Sequence, residues 1–293
     1  MANKYQSIVI TGSSSGFGLL AAVALAREGY HVYATMRNLG KQERLLTACK
    51  AAGVTVEVRQ LDVTRPETIT PVIEEIKAKE HGPDVLVNNA GFGFIGFFED
   101  TSNRNFEEQL ATNFYGALNC TRAVLPGMQE RRRGLILNVS SIAGLCGAPT
   151  LSAYTASKFA MEGWSESLRY ELKPWGVAVA MIEPGIFKTD ISTEEHMRKG
   201  DGLKNPAGRY SEVYPKLERR RYARFNKYAQ DPQAVVRKIV KIVKSRQPRL
   251  RYIVGLDARM ESTLKRLLPG PIFEWLNTKL VFSLGQYLKL LIF

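Results

Sequence analysis

A tyrosine and a lysine four residues apart are the side chains of this 293-residue chain best suited to proton transfer. Tyr154 and Lys158 lie in a stretch, 152–172, that has helical composition and no proline. On a helix, residues i and i+4 share one face, so the phenol and the ammonium group would be neighbours. A nearby positive charge favours the phenolate and lowers the pKa of a tyrosine from about 10. The spacing therefore predicts a tyrosine that exchanges a proton near neutral pH; a solvated helix face is the alternative interpretation.

A glycine-rich segment, TGSSSGFG at residues 11–18, lies between the first apolar run and a helical pattern. Glycines allow a tight turn and close approach of the backbone to a pyrophosphate, and the N-terminus of the following helix favours an anion. The segment predicts dinucleotide binding, with an ordinary strand-to-helix turn as the alternative. The candidate cofactor-binding residues are Gly12, Ser14, Ser15, Gly16, Phe17 and Gly18.

The residues after the second apolar run indicate which dinucleotide is bound. An NAD site usually places an acid here to hold the ribose hydroxyls, but no acid occurs before Glu43. Arg37 instead offers a bidentate partner for a 2′-phosphate, and Ser14 can add a hydroxyl. NADP(H) is therefore favoured over NAD(H), unless Arg37 is simply a solvated loop residue.

Val- and Ile-rich runs alternate with helical patterns along the chain, which predicts an α/β fold of the Rossmann type. Because the strands are continuously hydrophobic, we expect a doubly wound sheet of about seven parallel strands with helices on both faces. The predicted strands are 7–11, 31–35, 54–60, 84–88, 134–140, 177–183 and 251–254. The predicted helices are 17–28, 42–51, 67–79, 106–131 and 153–173.

Ligands of such folds bind at the carboxyl ends of the strands, so the residues after the remaining strands are further candidates. A carboxylate after the third strand is suited to an adenine amino group, and small and amide side chains follow the fourth. These candidates are Asp62, Val63, Asn89, Ala90 and Gly91, then Ser141, and finally Pro184, Gly185 and Thr189.

The ordered set of these segments resembles the short-chain dehydrogenase/reductase family over residues 5–190 and at the strand near Arg251. The matching features are the glycine-rich segment, NNAG at 88–91, Asn113, Ser141, the Tyr154–Lys158 pair and PG at 184–185. Residues 32–37 and 154–163 look closest to the hydroxysteroid and retinol dehydrogenase-like branch. The resemblance implies an NADP-dependent oxidoreductase that acts on a lipophilic ketone, aldehyde or alcohol, and it implies a homo-oligomer.

The resemblance also implies a role for each catalytic residue. Tyr154 would be the general acid in reduction and the general base in oxidation. Lys158 would lower the tyrosine pKa and hydrogen-bond the nicotinamide ribose. Ser141 would stabilise the substrate oxygen, and Asn113 would hold a water of a proton relay. Thr189 would hold the nicotinamide carboxamide.

Residues 190–230 are expected to form the substrate loop with its helices, and five residues are candidate pocket walls: Phe94, Phe97, Leu145, Cys146 and Phe187. A catalytically silent NADP(H)-binding regulatory protein, or one that acts at a membrane surface, is the alternative function. Retention of the complete catalytic set argues against the silent protein.

The charge of the chain is concentrated in its last third. Residues 1–187 hold 18 basic and 18 acidic side chains, whereas 188–293 hold 23 and 10, which accounts for the net charge of +13. We expect an NADP-binding domain at 1–256 and an amphipathic helical extension at 257–293. The extension would contact a membrane surface, cover the substrate pocket or join two subunits. With no apolar signal region and no cysteine or histidine pattern of a metal site, we predict a cytoplasmic protein, peripheral membrane contact remaining open. No nucleic-acid partner is expected.

Overall fold

Seven of nine strands form one parallel sheet in the computed structural model, which describes residues 5–190, 196–204 and 208–281. The strands are β1 Ser7–Ile10, β2 His31–Met36, β3 Glu57–Gln60, β4 Val85–Asn88, β5 Gly93–Ile95, β6 Gly134–Val139, β7 Val177–Pro184, β8 Met197–Lys199 and β9 Arg251–Val254. Their order in the sheet is β3-β2-β1-β4-β6-β7-β9. The order reverses between β1 and β4, where ligands of doubly wound folds bind.

Helices cover both faces of the sheet and bury its central strands, β1, β4 and β6, completely. This explains why these strands are mostly hydrophobic rather than alternating. The helices of the described residues are α1 Gly16–Arg27, α2 Glu43–Ala52, α3 Pro66–Glu80, α4 Asn103–Leu110, α5 Gly116–Glu130, α6 Ser152–Leu172, α7 Tyr214–Tyr228, α8 Gln233–Val243, α9 Leu256–Leu267 and α10 Gly270–Val281. In one hydrophobic core, α1, α2 and α8 pack on the sheet, and in the other, α3, α5 and α6 pack on the opposite face. The predicted fold class is confirmed.

Two predicted elements differ from the observed ones by more than one residue. The third strand begins at Glu57 rather than at Val54. The single helix predicted at 106–131 is a continuous helical stretch with a π-helical turn, Ala111–Tyr115, between α4 and α5. The π turn was not predicted, because it is a single turn inside an otherwise α-helical stretch of helical composition.

A second, two-stranded sheet was not predicted. β5 pairs in parallel with β8, and both are only three residues long. Side chains of the same region form a third core cluster that includes Ile95, Tyr214 and Leu217. The small sheet thus ties part of the predicted substrate loop to the segment that follows β4.

The C-terminal extension is helical as far as the structure describes it. α9 begins directly after β9, and α10 follows it. The amphipathic helix predicted from the sequence includes a face of four leucines, Leu280, Leu284, Leu288 and Leu291, and the last three lie outside the described residues. That face and the domain division at 256–257 therefore stay predictions. Among helices within the described ranges, none is both long and apolar enough to cross a bilayer.

Candidate functional site

The carboxyl ends of the central strands open into a cavity of about 350 Å³. Nearly all residues that the sequence predicts for the site line this one cavity: Gly12, Ser14, Ser15, Gly16, Phe17, Arg37, Asp62, Val63, Asn89, Ala90, Gly91, Asn113, Ser141, Tyr154, Lys158, Pro184, Gly185 and Thr189. Of the predicted catalytic and cofactor-binding residues, only Gly18 is not part of the lining. A Cβ atom there would lie 2.4 Å from the Gly12 carbonyl oxygen, so glycine allows α1 to pack against its own turn.

The glycine-rich turn is held against the segment after β4 by hydrogen bonds. The Thr11 hydroxyl accepts from the backbone N–H groups of Asn89 and Ala90 at 3.0 and 3.1 Å. The Asn89 side chain donates to the carbonyls of Thr11 and Gly12 at 2.9 and 3.0 Å. Gly12 has φ +69°, and a Cβ atom there would lie 2.8 Å from the Ala90 Cα. Two segments distant in sequence therefore form one rigid wall.

The N-terminus of α1 faces the cavity with the features of an anion site. Its first turn contains no acidic residue, and Ser15 at the N-cap makes no capping hydrogen bond through its side chain. The Gly16 N–H donates to the Asp190 carboxylate at 3.1 Å, and Ser15 Oγ lies 3.3 Å from His196 Nε2. The N–H groups and the dipole of a helix N-terminus favour negative charge here. The Asp190 carboxylate, which accepts from the Gly16 N–H, lies in this favourable environment.

The lining of the cavity includes two cationic residues that follow β2, Arg37 and Lys41, together with Asn38. Arg37 is exposed at its position after β2, as a ligand for a phosphate must be. On the neighbouring strand, Asp62 accepts hydrogen bonds from the backbone and hydroxyl of Thr64 at 2.9 and 2.7 Å. The Asp62 carboxylate is therefore fixed in place, although part of its hydrogen-bonding capacity is used locally.

Tyr154 and Lys158 share one face of α6, as their spacing predicts. Lys158 Nζ lies 5.7 Å from the centre of the Tyr154 ring and donates to the Val139 carbonyl at 2.8 Å. Lys158 is buried, and this lowers its pKa to about 8. Ser141 follows β6 directly and accepts a hydrogen bond from the Ala143 N–H at 3.1 Å.

The expected direction of the tyrosine pKa shift is wrong for the protein without cofactor. Burial raises the pKa of Tyr154, and a hydrogen bond with Ser141 acts in the opposite direction but is weaker. Burial disfavours the charged form of any group, and the sequence spacing gave no measure of burial. The phenol is therefore protonated at neutral pH.

Asn113 lies in the π-helical turn and is completely buried. Its side-chain oxygen accepts from the Phe92 N–H at 3.1 Å, and its amide nitrogen donates to the Phe92 carbonyl at 2.9 Å and to Ser157 Oγ at 3.1 Å. The asparagine therefore joins the segment after β4 to α6, next to the turn that contains Tyr154. A π turn of this kind is often found at functional sites.

The segment after β7 brings an unpartnered hydroxyl into the site. Thr189 Oγ1 is buried and makes no hydrogen bond with any described residue. Gly185 in the same segment packs closely on Asp257: a Cβ atom at Gly185 would lie 2.3 Å from a carboxylate oxygen of Asp257. Asp257 also accepts from the Ile186 N–H at 2.7 Å, which links α9 to this wall of the cavity. A buried hydroxyl without a partner is suited to a polar ligand group.

Sequence reasoning missed several residues that line the cavity, among them Phe92, His196 and Arg198. The Arg198 guanidinium lies 4.3 Å from the centre of the Phe92 ring. No spacing pattern marks these residues, because the loop at 196–204 reaches the site only through the β5–β8 pairing. Of the five predicted pocket walls, Phe187 is part of the lining. Phe94, Phe97, Leu145 and Cys146 are not among the lining residues, and their role stays a prediction. Phe94 packs on Phe92, and Phe97 stacks on Tyr210.

Comparison with known proteins agrees with this geometry. The chain is 36% identical over 300 residues to human retinol dehydrogenase 8, covering 99% of this chain and 94% of that protein. A crystal structure of a short-chain dehydrogenase from Streptomyces avermitilis matches with a TM-score of 0.76 and 33% identity, covering 89% of this chain and 93% of the other. A metagenomic short-chain oxidoreductase in complex with NADP matches with a TM-score of 0.66 and 25% identity, covering 85% and 96%.

The family model for short chain dehydrogenases matches residues 6–200. This range contains the glycine-rich turn, the π turn with Asn113, Ser141 and the Tyr154–Lys158 pair, all of which meet at the cavity. The chain therefore belongs to the short-chain dehydrogenase/reductase family of oxidoreductases.

Proposed function

We propose that the protein is an NADP(H)-dependent oxidoreductase that interconverts a lipophilic ketone or aldehyde and the corresponding alcohol. The observation that carries this proposal is the placement of Ser141, Tyr154 and Lys158 in the same cavity as the glycine-rich turn. A redox cofactor bound in the cradle would thus lie beside a proton donor. The NADP complex of the metagenomic relative and the name of retinol dehydrogenase 8 support the cofactor and the substrate class.

The residues present fit a dinucleotide at three places. Gly12 leaves no room for a side chain beside Ala90, as a backbone that closely approaches a pyrophosphate requires. Arg37 and Lys41, which line the cavity, would bind a 2′-phosphate. The unpartnered Thr189 hydroxyl would bind the carboxamide. NADP(H) supplies or accepts the hydride, and the protein supplies binding, orientation and the proton.

In the reductive direction, Tyr154 donates its phenolic proton to the carbonyl oxygen of the substrate. The raised pKa keeps this proton on the phenol at neutral pH, which suits a general acid. Ser141, which hydrogen-bonds Tyr154, would also stabilise the charge that develops on the substrate oxygen. Lys158 as an ammonium group would stabilise the phenolate that remains, and this requires a pH below about 8.

The direct test is NADPH consumption over a panel of apolar ketones and aldehydes, followed by the near-ultraviolet absorbance of NADPH, with NADH in parallel. We expect turnover with NADPH on part of the panel and slower turnover with NADH. Tight NADPH binding without turnover on any member would favour the catalytically silent protein instead.

Replacing Arg37 with alanine is expected to weaken NADPH binding about tenfold to a hundredfold and to leave NADH binding unchanged. A charge-assisted hydrogen bond to a phosphate contributes roughly 1.5–3 kcal/mol to binding. NADH has no 2′-phosphate, so its complex does not contain this hydrogen bond. Binding is measured by fluorescence titration. Arg27→Ala is the control, because Arg27 lies at the C-terminal end of α1, whereas the N-terminal end of this helix lines the cavity. Equal losses for the two cofactors would contradict a role of Arg37 in phosphate recognition.

We also propose that α9 contacts an anionic lipid surface, which would bring the enzyme close to lipophilic substrates. Four apolar side chains on α9 are exposed at spacings of four, four and three residues: Leu256, Met260, Leu264 and Leu267. This spacing places them on one helical face. Arg259, Lys265 and Arg266 belong to the same helix. An exposed apolar face with basic neighbours has the character of interfacial helices.

Introducing aspartate at Met260 and Leu267 in the full-length chain is expected to abolish co-sedimentation with vesicles that contain phosphatidylserine. Both side chains are exposed, so the fold does not require them. Leu46→Asp, at an exposed position of α2, is the control and should keep binding. Unchanged recovery of the double variant would contradict the lipid contact, and a concentration-dependent mass lost in the double variant would indicate a dimer surface instead.

A further inference from the structure

Two buried carboxyl groups lie directly behind the Tyr154–Lys158 pair. Glu162 is one helical turn after Lys158 on α6 and is 4% exposed, and Glu183 on β7 is completely buried. Arg251, the first residue of β9, reaches both of them. Its Nε lies 3.1 Å from Glu162 Oε2 and 3.5 Å from Glu183 Oε1.

Among the described ion pairs, Arg251 is the only cationic partner of the two carboxyl groups, so one guanidinium serves two buried acids. Arg251 also pairs through Nη2 with Glu166, which is half exposed, at 2.9 Å. As carboxylates, Glu183 with both oxygens and Glu162 with Oε1 accept no hydrogen bond from a described donor. If one carboxyl is protonated, it can donate to the other. Burial, with the charge of Glu162 second, raises the pKa of Glu183 to about 8, as is typical of two acids that share a site.

The pair is also coupled to the lysine of the active site. The charge of Glu162 opposes the lowering of the Lys158 pKa that burial causes. The loop after β6 closes over this contact: a Cβ atom at Gly144 would lie 2.9 Å from Glu162 Cγ and 2.8 Å from the unpartnered hydroxyl of Ser140. The loop therefore packs directly on Glu162 and leaves no room for a side chain at Gly144.

We propose that Glu162 and Glu183 hold one proton between them at neutral pH and act as positioning residues that keep Lys158 in its ammonium form. The proposal rests on the role of Lys158 in the proposed function. The groups that surround the pair are Lys158 and Glu166 from α6, Arg251 from β9 and the Ser140 hydroxyl from the end of β6. Glu162 provides the negative charge nearest to Lys158, and Glu183 carries the proton that makes this charge tolerable inside the protein.

The shared proton predicts a pH dependence of stability. A group with a raised pKa in the folded protein stabilises it at low pH, and this contribution is lost as the pH rises from 4.5 towards about 8. Urea unfolding between pH 5 and 9 should therefore show a decline that Glu183→Gln removes, because glutamine resembles the protonated acid. Glu166→Gln, a change on the exposed side of Arg251, should keep the decline. An equal decline in the wild type and in Glu183→Gln would overturn the shared proton.

The charge of Lys158 can be measured without turnover, by NMR of ¹³Cε-labelled lysine, with the Lys158 signal assigned by its absence in Lys158→Arg. We expect a titration midpoint at about 8 in the wild type. Glu162→Gln should lower this midpoint by about one pH unit, since the neighbouring negative charge is lost, whereas Glu162→Asp and Glu166→Gln should preserve it. An unchanged midpoint in Glu162→Gln would overturn the positioning role. Neither the unfolding measurement nor the NMR titration involves a substrate. A failure of the proposed reaction can therefore be distinguished from a failure of the positioning role.

Discussion

Replacing Tyr154 with phenylalanine is expected to lower NADPH-dependent turnover about a thousandfold, within the range that general acid–base catalysis contributes. The substitution removes one oxygen atom and keeps the ring, which packs beside β5: a Cβ atom at Gly93 would lie 3.4 Å from Tyr154 Cδ2. NADPH binding should therefore remain close to that of the wild type. The effect is measured as kcat with the best substrate of the carbonyl panel, together with a fluorescence titration of NADPH.

A second tyrosine on the same helix provides the matched control for this prediction. Tyr170 is 66% exposed and lies four turns after Tyr154 on α6, so Tyr170→Phe should leave both kcat and NADPH binding unchanged. If Tyr154→Phe kept more than about a tenth of the wild-type kcat, the phenol would not be the proton donor. A parallel loss of NADPH affinity would indicate instead a structural role for the hydroxyl.

The site could be predicted from the sequence where its residues follow strands directly. Gly12, Asn89, Ser141 and Gly185 all come shortly after a strand of the main sheet, and parallel strands end at the same edge. Strand positions were readable because buried parallel strands are continuous Val- and Ile-rich runs. Once the strands were assigned, the topology brought these residues together without further information.

The parts of the site that the sequence did not predict come from contacts between distant segments. His196 and Arg198 reach the cavity because β8 pairs with β5, and three-residue strands carry too little periodicity to be recognised. The π turn contains Asn113, whose side chain bonds to Phe92 and Ser157 from two other segments. Tertiary partners of this kind leave no trace in local composition.

The electrostatics of the site shows the same limit. The prediction that Tyr154 and Lys158 share one helix face is confirmed by the structure. The predicted direction of the tyrosine pKa shift is wrong, because burial raises the pKa of Tyr154 more than local effects lower it. Glu162 and Glu183 are 21 positions apart and are joined by Arg251 from a third element. Helix periodicity can place Glu162 one turn after Lys158, yet only the tertiary structure shows that the second acid shares its site.

Replacing Gly12 with alanine is expected to destabilise the protein by about 2–4 kcal/mol and to weaken NADPH binding more than about tenfold. Two costs combine at this position. The backbone has φ +69°, which disfavours any residue with a Cβ atom, and that atom would lie 2.8 Å from the Ala90 Cα, which cannot move without displacing the end of β4. Relief of the contact would shift the turn and with it the N–H groups at the start of α1.

The two costs can be separated with a glycine of similar backbone conformation. Gly29 has φ +81°, but no atom lies within 4 Å of a Cβ atom built there. Gly29→Ala should therefore lose only the roughly 1–2 kcal/mol of left-handed strain and keep NADPH binding intact. Urea unfolding and a fluorescence titration of both variants measure the two quantities. Equal behaviour of the two variants would show that close packing against Ala90 is not what shapes the cradle, whereas loss of binding in Gly12→Ala alone would tie the affinity for the dinucleotide to this one contact between the first and fourth strands.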